Sequence, residues 1–133
     1  MVRHGVGRKS AFLVGVGLGA LIWLLSPDAT GRREPWDAPG GYYVGALLGA
    51  GILGGLAAPT HWGTAALGVF AGQALVLLGG VLAAPASGGL WPLGVVFLGV
   101  YSALSLLGAG VGAAARHFRS GGDGSRDRTT PDE

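Results

Sequence analysis

Charged side chains are absent from the middle of this chain. No Asp, Glu, Lys or Arg occurs in residues 38–115. Only 12% of all residues are charged, about half of the ~25% typical of soluble domains. A soluble domain needs a charged surface on every side, and so long an uncharged stretch cannot supply one. The composition therefore excludes a soluble globular domain and favours a chain that lies mostly in lipid.

Cysteine is missing altogether. The chain therefore has no disulfide, no thiolate nucleophile and no cysteine-ligated metal. His61 lies in a polar turn, while His4 and His117 lie in the basic flanks without a carboxylate or second histidine at ligand spacing. No metal site and no cofactor are predicted.

Glycine is abundant instead, with 28 residues. The every-third-residue period of collagen is absent, and the Leu, Val and Ile between the glycines are not typical of a disordered low-complexity chain. The apolar segments do not alternate with polar residues, which argues against a transmembrane β-barrel. Helices then remain as the way to satisfy every backbone group in lipid.

Prolines and small polar turns divide the apolar sequence into four segments. Each is close to the ~20 residues that a helix needs to cross a ~30 Å hydrocarbon layer. The prediction is an all-α protein, an integral membrane four-helix bundle in up-down-up-down order. Residues 1–9 form a cytoplasmic flank, 10–116 the transmembrane domain and 117–133 a disordered cytoplasmic tail. The predicted helices are 10–26, 41–58, 64–84 and 90–116.

The distribution of lysine and arginine predicts the orientation. Seven basic residues flank the outermost spans, whereas the first loop holds two and the other loops none. Cytoplasmic segments carry the excess of Lys and Arg, so both termini are expected in the cytoplasm of a multi-pass inner-membrane protein. The flanking residues are Arg3, Arg8, Lys9, Arg116, Arg119, Arg126 and Arg128; those of the loop are Arg32 and Arg33.

Aromatic residues fit two interfacial belts in this orientation. The outer belt would contain Trp36, Tyr42, Tyr43 and Trp91, with Trp23 near it, and Trp62 would lie at the inner boundary. The basic start followed by an apolar run also resembles a secretory signal peptide, but no small-x-small cleavage site follows it. An uncleaved first helix is the expectation.

Glycines four residues apart recur through the spans. This spacing stacks small residues on one helix face and lets a neighbouring backbone approach. A narrow passage lined by glycine is the other interpretation. Helix packing is the prediction for five pairs: Gly15 with Gly19, Gly45 with Gly49, Gly51 with Gly55, Gly68 with Gly72, and Gly108 with Gly112.

Gln73 is a polar residue within an apolar run. Counting inward at ~1.5 Å per residue places Gln73 and Ser102 near the middle of the layer, with Tyr101 and Ser105 at the same level. Gln73 is therefore predicted to bond Ser102, Tyr101 or a carbonyl exposed beside a glycine of another span. Such a contact either joins helices or forms a site for a small neutral solute or a dehydrated ion.

Chemistry beyond packing has little support. The spans hold no carboxylate pair and no strong general base, so no enzyme and no catalytic residue are predicted. The outer-loop acids Asp28, Glu34 and Asp37 have the pattern of a solvated loop. The basic residues lie at the chain ends without interleaved aromatics, which argues against nucleic acid. Proton-coupled transport normally needs an ionisable residue in the layer.

The function that follows is a non-catalytic membrane component. It is expected to act through helix packing, in the lipid bilayer, as a homo-oligomer or with other membrane subunits. The alternative is a minimal channel or facilitator for a small neutral solute, with Gln73 and Ser102 at its midplane.

Overall fold

The computed structural model describes residues 6–85 and 90–122, and every regular element in these ranges is helical. The long helices are α1 Arg8–Thr30, α2 Tyr42–Ala57, α3 Trp62–Ala83 and α4 Trp91–Gly122. Short 3-10 turns precede α2, at Pro35–Asp37 and Pro39–Gly41, and α3, at Pro59–His61. With these turns included, four helices are long and apolar enough to cross a membrane. The predicted all-helical class and the four apolar segments are confirmed.

The helix α1 does not end before its proline, as the predicted boundary at residue 26 required, but continues to Thr30. Pro27 has no N–H to donate, so α1 lacks one backbone hydrogen bond there, but the helix continues through it to Thr30. The end is set by Gly31, which has a left-handed φ of 71° and donates its N–H to the Pro27 carbonyl. Glycine adopts this conformation without strain.

The helix α4 is longer than predicted. It passes the expected end at residue 116 and runs to Gly122, so that residues 117–122 of the predicted tail are helical. Residues 123–133 lie outside the described residues. Thirty-two residues span about 48 Å at ~1.5 Å each, which exceeds a ~30 Å hydrocarbon layer. Charge at Arg116 and Arg119 ends the apolar segment but not the helix, because arginine is a good helix former.

Two pairs of helices pack backbone against backbone, and α1 with α3 is the first. Gly15 faces the carbonyl of Ala65, and Gly19 faces that of Val69. A Cβ on either glycine would overlap the facing carbonyl oxygen. The facing residue numbers rise together, so these two helices run in the same direction.

The glycines of α3 complete this contact from the other side. Gly68 faces the carbonyl of Phe12, and Gly72 faces that of Val16. A Cβ on Gly68 or Gly72 would also overlap the facing oxygen, and both glycines are buried. Each helix therefore contributes two glycines, and each accommodates carbonyls of its neighbour.

The helices α2 and α4 form the second pair in the same way. Gly51 lies against the carbonyl of Ser105, and Gly55 against that of Ala109. From the other side, Gly108 and Gly112 of α4 lie against the backbone of α2. This pair is also parallel, and its glycines come from both partners.

Gly45 and Gly49 differ from the other predicted pairs. A Cβ on either would meet nothing within 4 Å in the described chain. They precede Gly51 and Gly55 by six residues, which turns their face about 120° away around the same helix. Within the described residues these two glycines pack against no other helix, so their packing role stays a prediction, whereas the remaining four pairs all lie at helix contacts.

The two parallel pairs lie side by side in opposite directions. Tyr43 near the start of α2 reaches Gln73 of α3, while Gly54 near its end lies beside Ala65. Most leucines are turned outward, with Leu82 81% and Leu107 65% exposed, although Leu47 and Leu98 are fully buried. Small residues inside and leucines outside reverse the pattern of a soluble protein and suit a lipid surround.

The glycine contacts give a matched test on one helix. Gly19→Ala should destabilise the bundle by about 1–3 kcal/mol, the usual cost of overpacking, because its new methyl group collides with the Val69 carbonyl. Gly17→Ala, two residues away with open space at its Cβ, should be neutral or mildly stabilising. Unfolding in mixed micelles, followed by circular dichroism, measures both; equal stability of the two variants would contradict the packing.

Candidate functional site

Gln73 is the central polar residue of the bundle. It lies in the middle of α3 and is 0% exposed. Its Oε1 accepts a hydrogen bond of 2.7 Å from the Tyr43 hydroxyl, and its Nε2 donates to the Val69 carbonyl at 3.3 Å. That carbonyl belongs to α3 itself and is the one packed against Gly19 of α1. Through Gln73, a buried tyrosine of α2 is thus tied to the α1–α3 contact.

The side-chain partner predicted for Gln73 was wrong. Neither Ser102 nor Tyr101 bonds it; the donor is Tyr43, which the sequence placed in the outer aromatic belt. The difference follows from helix length. The helix α2 has only 16 residues, about 24 Å at ~1.5 Å each, so its first turn lies closer to the middle of α3 than the first turn of a longer helix would. A long tyrosine side chain then reaches the middle of α3.

The predicted midplane residues of α4 fall into different roles. The Tyr101 ring packs on the Tyr43 ring at a centroid distance of 5.1 Å, so Tyr101 joins the cluster without bonding Gln73. Ser105 is buried and donates to the carbonyl of Ser102 on its own helix at 2.7 Å. The Ser102 hydroxyl is buried and makes no hydrogen bond within the described residues.

A row of aromatic rings runs from the segment between α1 and α2 into the bundle. Trp23 meets Trp36 edge to face at 5.0 Å, and Trp36 meets Tyr43 at 6.4 Å. Trp23 and Tyr43, which were expected at or near the outer aromatic belt, are 7% and 4% exposed and pack inside the protein. The segment between α1 and α2 folds inward and places Trp36 between them. Trp62 and Trp91 do remain exposed.

Further hydrogen bonds fix the two ends of α2. At its start, Tyr42 donates from its hydroxyl to the Ile22 carbonyl of α1 at 2.9 Å. At its end, the Arg116 guanidinium of α4 donates to the Leu56 carbonyl. The last carbonyls of a helix lack intrahelical partners, and a cation there also suits the helix dipole.

The chemistry available to these groups is limited. Phenol and amide are uncharged polar groups, and their bond holds no reactive acid or base. No group of three His, Asp or Glu residues within 6–85 and 90–122 could hold a metal ion. Of the three acids around the first loop, Glu34 accepts from Trp36 Nε1 at 3.1 Å, and Asp28 and Asp37 lie at the surface. The arrangement is suited to joining helices.

The α1–α3 and α2–α4 helix pairs are joined at this cluster. Tyr43 belongs to the α2–α4 pair and Gln73 to the α1–α3 pair, and both are buried, with exposures of 4% and 0%. Interhelical hydrogen bonds in membranes contribute ~0.6 kcal/mol on average and up to ~1.7. The Tyr43–Gln73 bond, the rings around it and the Tyr42–Ile22 bond therefore help to hold the two helix pairs together.

Comparisons with known proteins add no relative. No protein-family model matches this chain, and neither a curated protein nor a solved structure matches it.

Removing the Tyr43 hydroxyl should weaken the joint between the pairs. Tyr43→Phe keeps the ring contacts but leaves the Gln73 oxygen without its donor, with an expected loss of about 0.6–1.7 kcal/mol in a membrane setting. Tyr101→Phe is the matched control, because its hydroxyl makes no hydrogen bond in the described chain. Unfolding in micelles is the measurement.

A double-mutant cycle with Gln73→Leu isolates the bond itself. Gln73→Leu should cost less in the Tyr43→Phe background than in the natural chain, because the partner is already lost. Strictly additive losses would show that the two side chains do not interact.

Proposed function

We propose that this protein is a small, non-catalytic, multi-pass component of the cell (inner) membrane that acts through helix packing as a homo-oligomer. A membrane subunit in a larger assembly is the other form of the same role. The observation that carries the proposal is the open face of α2 formed by Gly45 and Gly49. The other four pairs of the same spacing are filled by a facing backbone, and this one is not.

The proposed topology is up-down-up-down with both termini in the cytoplasm. The parallel alignment of α1 with α3, and of α2 with α4, supports alternation of direction along the chain. The distribution of basic residues supports the orientation: Arg8 and Lys9 begin α1 and Arg116 and Arg119 lie near the end of α4, at the same end of the bundle. Cytoplasmic ends of spans carry such an excess.

The Gly45/Gly49 face has the features of a helix–helix interface in lipid. Leucine gains nothing by leaving lipid tails, so association depends on close van der Waals contact, which small residues allow. Leu53, one turn further along, is 56% exposed and would pack beside the glycines of a second copy. In lipid alone, these glycines leave a shallow notch that a flat helix face fills better than a mobile acyl chain.

The channel alternative receives less support from the geometry. Gln73 is fully buried, and both of its polar atoms are engaged by Tyr43 and Val69. A solute would have to displace these bonds. The packing role requires no such displacement, because the hydrogen bond from Tyr43 to Gln73 already joins two helices.

Filling the notch should separate the oligomer. Gly45→Ile and Gly49→Ile each place a branched side chain where a second backbone would lie. Forced overpacking costs about 1–3 kcal/mol, which weakens association about five- to 150-fold. Light scattering of purified protein in detergent and energy transfer between labelled copies in vesicles measure the oligomeric state.

Gly17→Ile is the matched control. Gly17 is also an exposed helical glycine with open space at its Cβ, but its neighbours four residues away are Leu13 and Leu21, so it forms no small-residue face. It should leave the oligomer intact. If the unsubstituted protein is monomeric both in detergent and in vesicles, the proposed homo-oligomer is contradicted. Solute uptake into vesicles, abolished by Gln73→Leu without loss of the oligomer, would favour the channel instead.

A further inference from the structure

An apolar groove lies where α1 ends and α4 begins. The helices α1 and α4 make little or no contact with each other, and this leaves a space of about 760 Å³ between their ends and α3. The volume is within the range of ~300–1,000 Å³ found for small-molecule sites. We call it the α1–α4 groove. It is separate from Gln73, which does not line it.

The walls of the groove are apolar along most of its length. Val76, Leu77 and Val81 of α3 form its floor, and Trp23 and Phe97 stand on either side. Phe97 is 45% exposed, so the groove opens toward the lipid side of the bundle. The groove is therefore suited to a ligand with a long apolar surface.

The rim of the groove carries one charge of each sign. Arg33 and Glu34, adjacent in the segment after α1, both line it. The Arg33 side chain forms no ion pair within the described residues. The Glu34 carboxylate is held by Trp36 Nε1 through one oxygen, and a carboxylate accepts further hydrogen bonds. The rim thus offers a free guanidinium and a spare carboxylate oxygen side by side.

We propose that the α1–α4 groove binds one aminophospholipid of the phosphatidylethanolamine type. Its acyl chain lies along the α3 floor, its phosphate accepts from Arg33, and its primary ammonium donates to Glu34. Guanidinium and phosphate form strong charge-assisted pairs. The groove opens at the ends of apolar helices, where phospholipid headgroups lie in a bilayer. A phosphatidylglycerol head lacks the ammonium, and a phosphatidylcholine head has no N–H to donate.

The test uses the purified full chain, stripped of lipid and offered equal amounts of phosphatidylethanolamine, phosphatidylglycerol and phosphatidylcholine. Native mass spectrometry counts the retained lipid, and thermal unfolding with and without lipid measures its effect on stability. The natural chain should retain one phosphatidylethanolamine in preference to the others. Arg33→Ala should weaken that retention by about tenfold, as expected for a hydrogen bond to a charged group.

Neighbouring residues supply matched controls. Arg32→Ala removes an adjacent arginine that does not line the groove and should leave retention unchanged. Glu34→Gln keeps an acceptor for Trp36 but removes the charge, so the preference over phosphatidylglycerol should disappear. Asp37→Asn, an acid outside the groove, should preserve it.

Two results would overturn the proposal. One is equal retention by the Arg33→Ala and Arg32→Ala variants, which would mean that the lipid is merely annular. The other is a preference of the natural chain for phosphatidylglycerol or phosphatidylcholine. Because Arg33 and Glu34 are exposed, their substitution leaves the fold intact, and lipid-free melting temperatures equal to that of the natural chain verify this.

Discussion

Close approach of backbones is the constraint on which the rest of this structure depends. Hydrophobic burial does not drive apolar helices together in lipid, so contact has to come from shape. Gly19, Gly72 and Gly55 show how it is achieved: each lets a carbonyl of the facing helix approach where a Cβ would collide. The two parallel pairs follow, and the leucines that would fill a soluble core are free to face outward.

The cluster around Tyr43 and Gln73 then joins the two helix pairs, together with the Tyr42–Ile22 hydrogen bond. Tyr43 of one pair donates to Gln73 of the other, and Trp36 folds in from the segment between α1 and α2 to pack on Tyr43. The helix contacts leave α1 and α4 apart, and the α1–α4 groove with Arg33 at its rim lies between them. The glycines bring only two pairs of helices into backbone contact. The proposed assembly face at Gly45 and Gly49 and the proposed lipid site in the α1–α4 groove are surfaces that these contacts leave uncovered.

Much of the fold can be predicted from sequence, because a lack of charge marks the segments that can lie in lipid, and prolines and polar turns divide these segments. The last three spans follow from the uncharged stretch 38–115 and the prolines and polar turns that divide it, and the first follows from the apolar run before Asp28. Helix ends are less predictable: Pro27 lies inside α1 because Gly31 terminates the helix. Partners are the least predictable. Gly45/Gly49 and Gly51/Gly55 have the same spacing on one helix, and only three-dimensional packing separates the open pair from the filled one. Tyr43 was missed as the donor to Gln73 because its depth depends on the shortness of α2.

The central claim is that glycine contacts make α1 and α3 immediate neighbours while α1 and α4 stay apart. The chain has no cysteine, so pairs of introduced cysteines carry spin labels without background. Labels at the exposed Leu13 and Leu67 report the α1–α3 distance, and labels at Leu13 and Leu107 report α1–α4 at a similar level. Double electron–electron resonance spectroscopy in vesicles should give a clearly shorter distance between labels at Leu13 and Leu67 than between labels at Leu13 and Leu107. Equal distances, or the reverse order, would contradict the account.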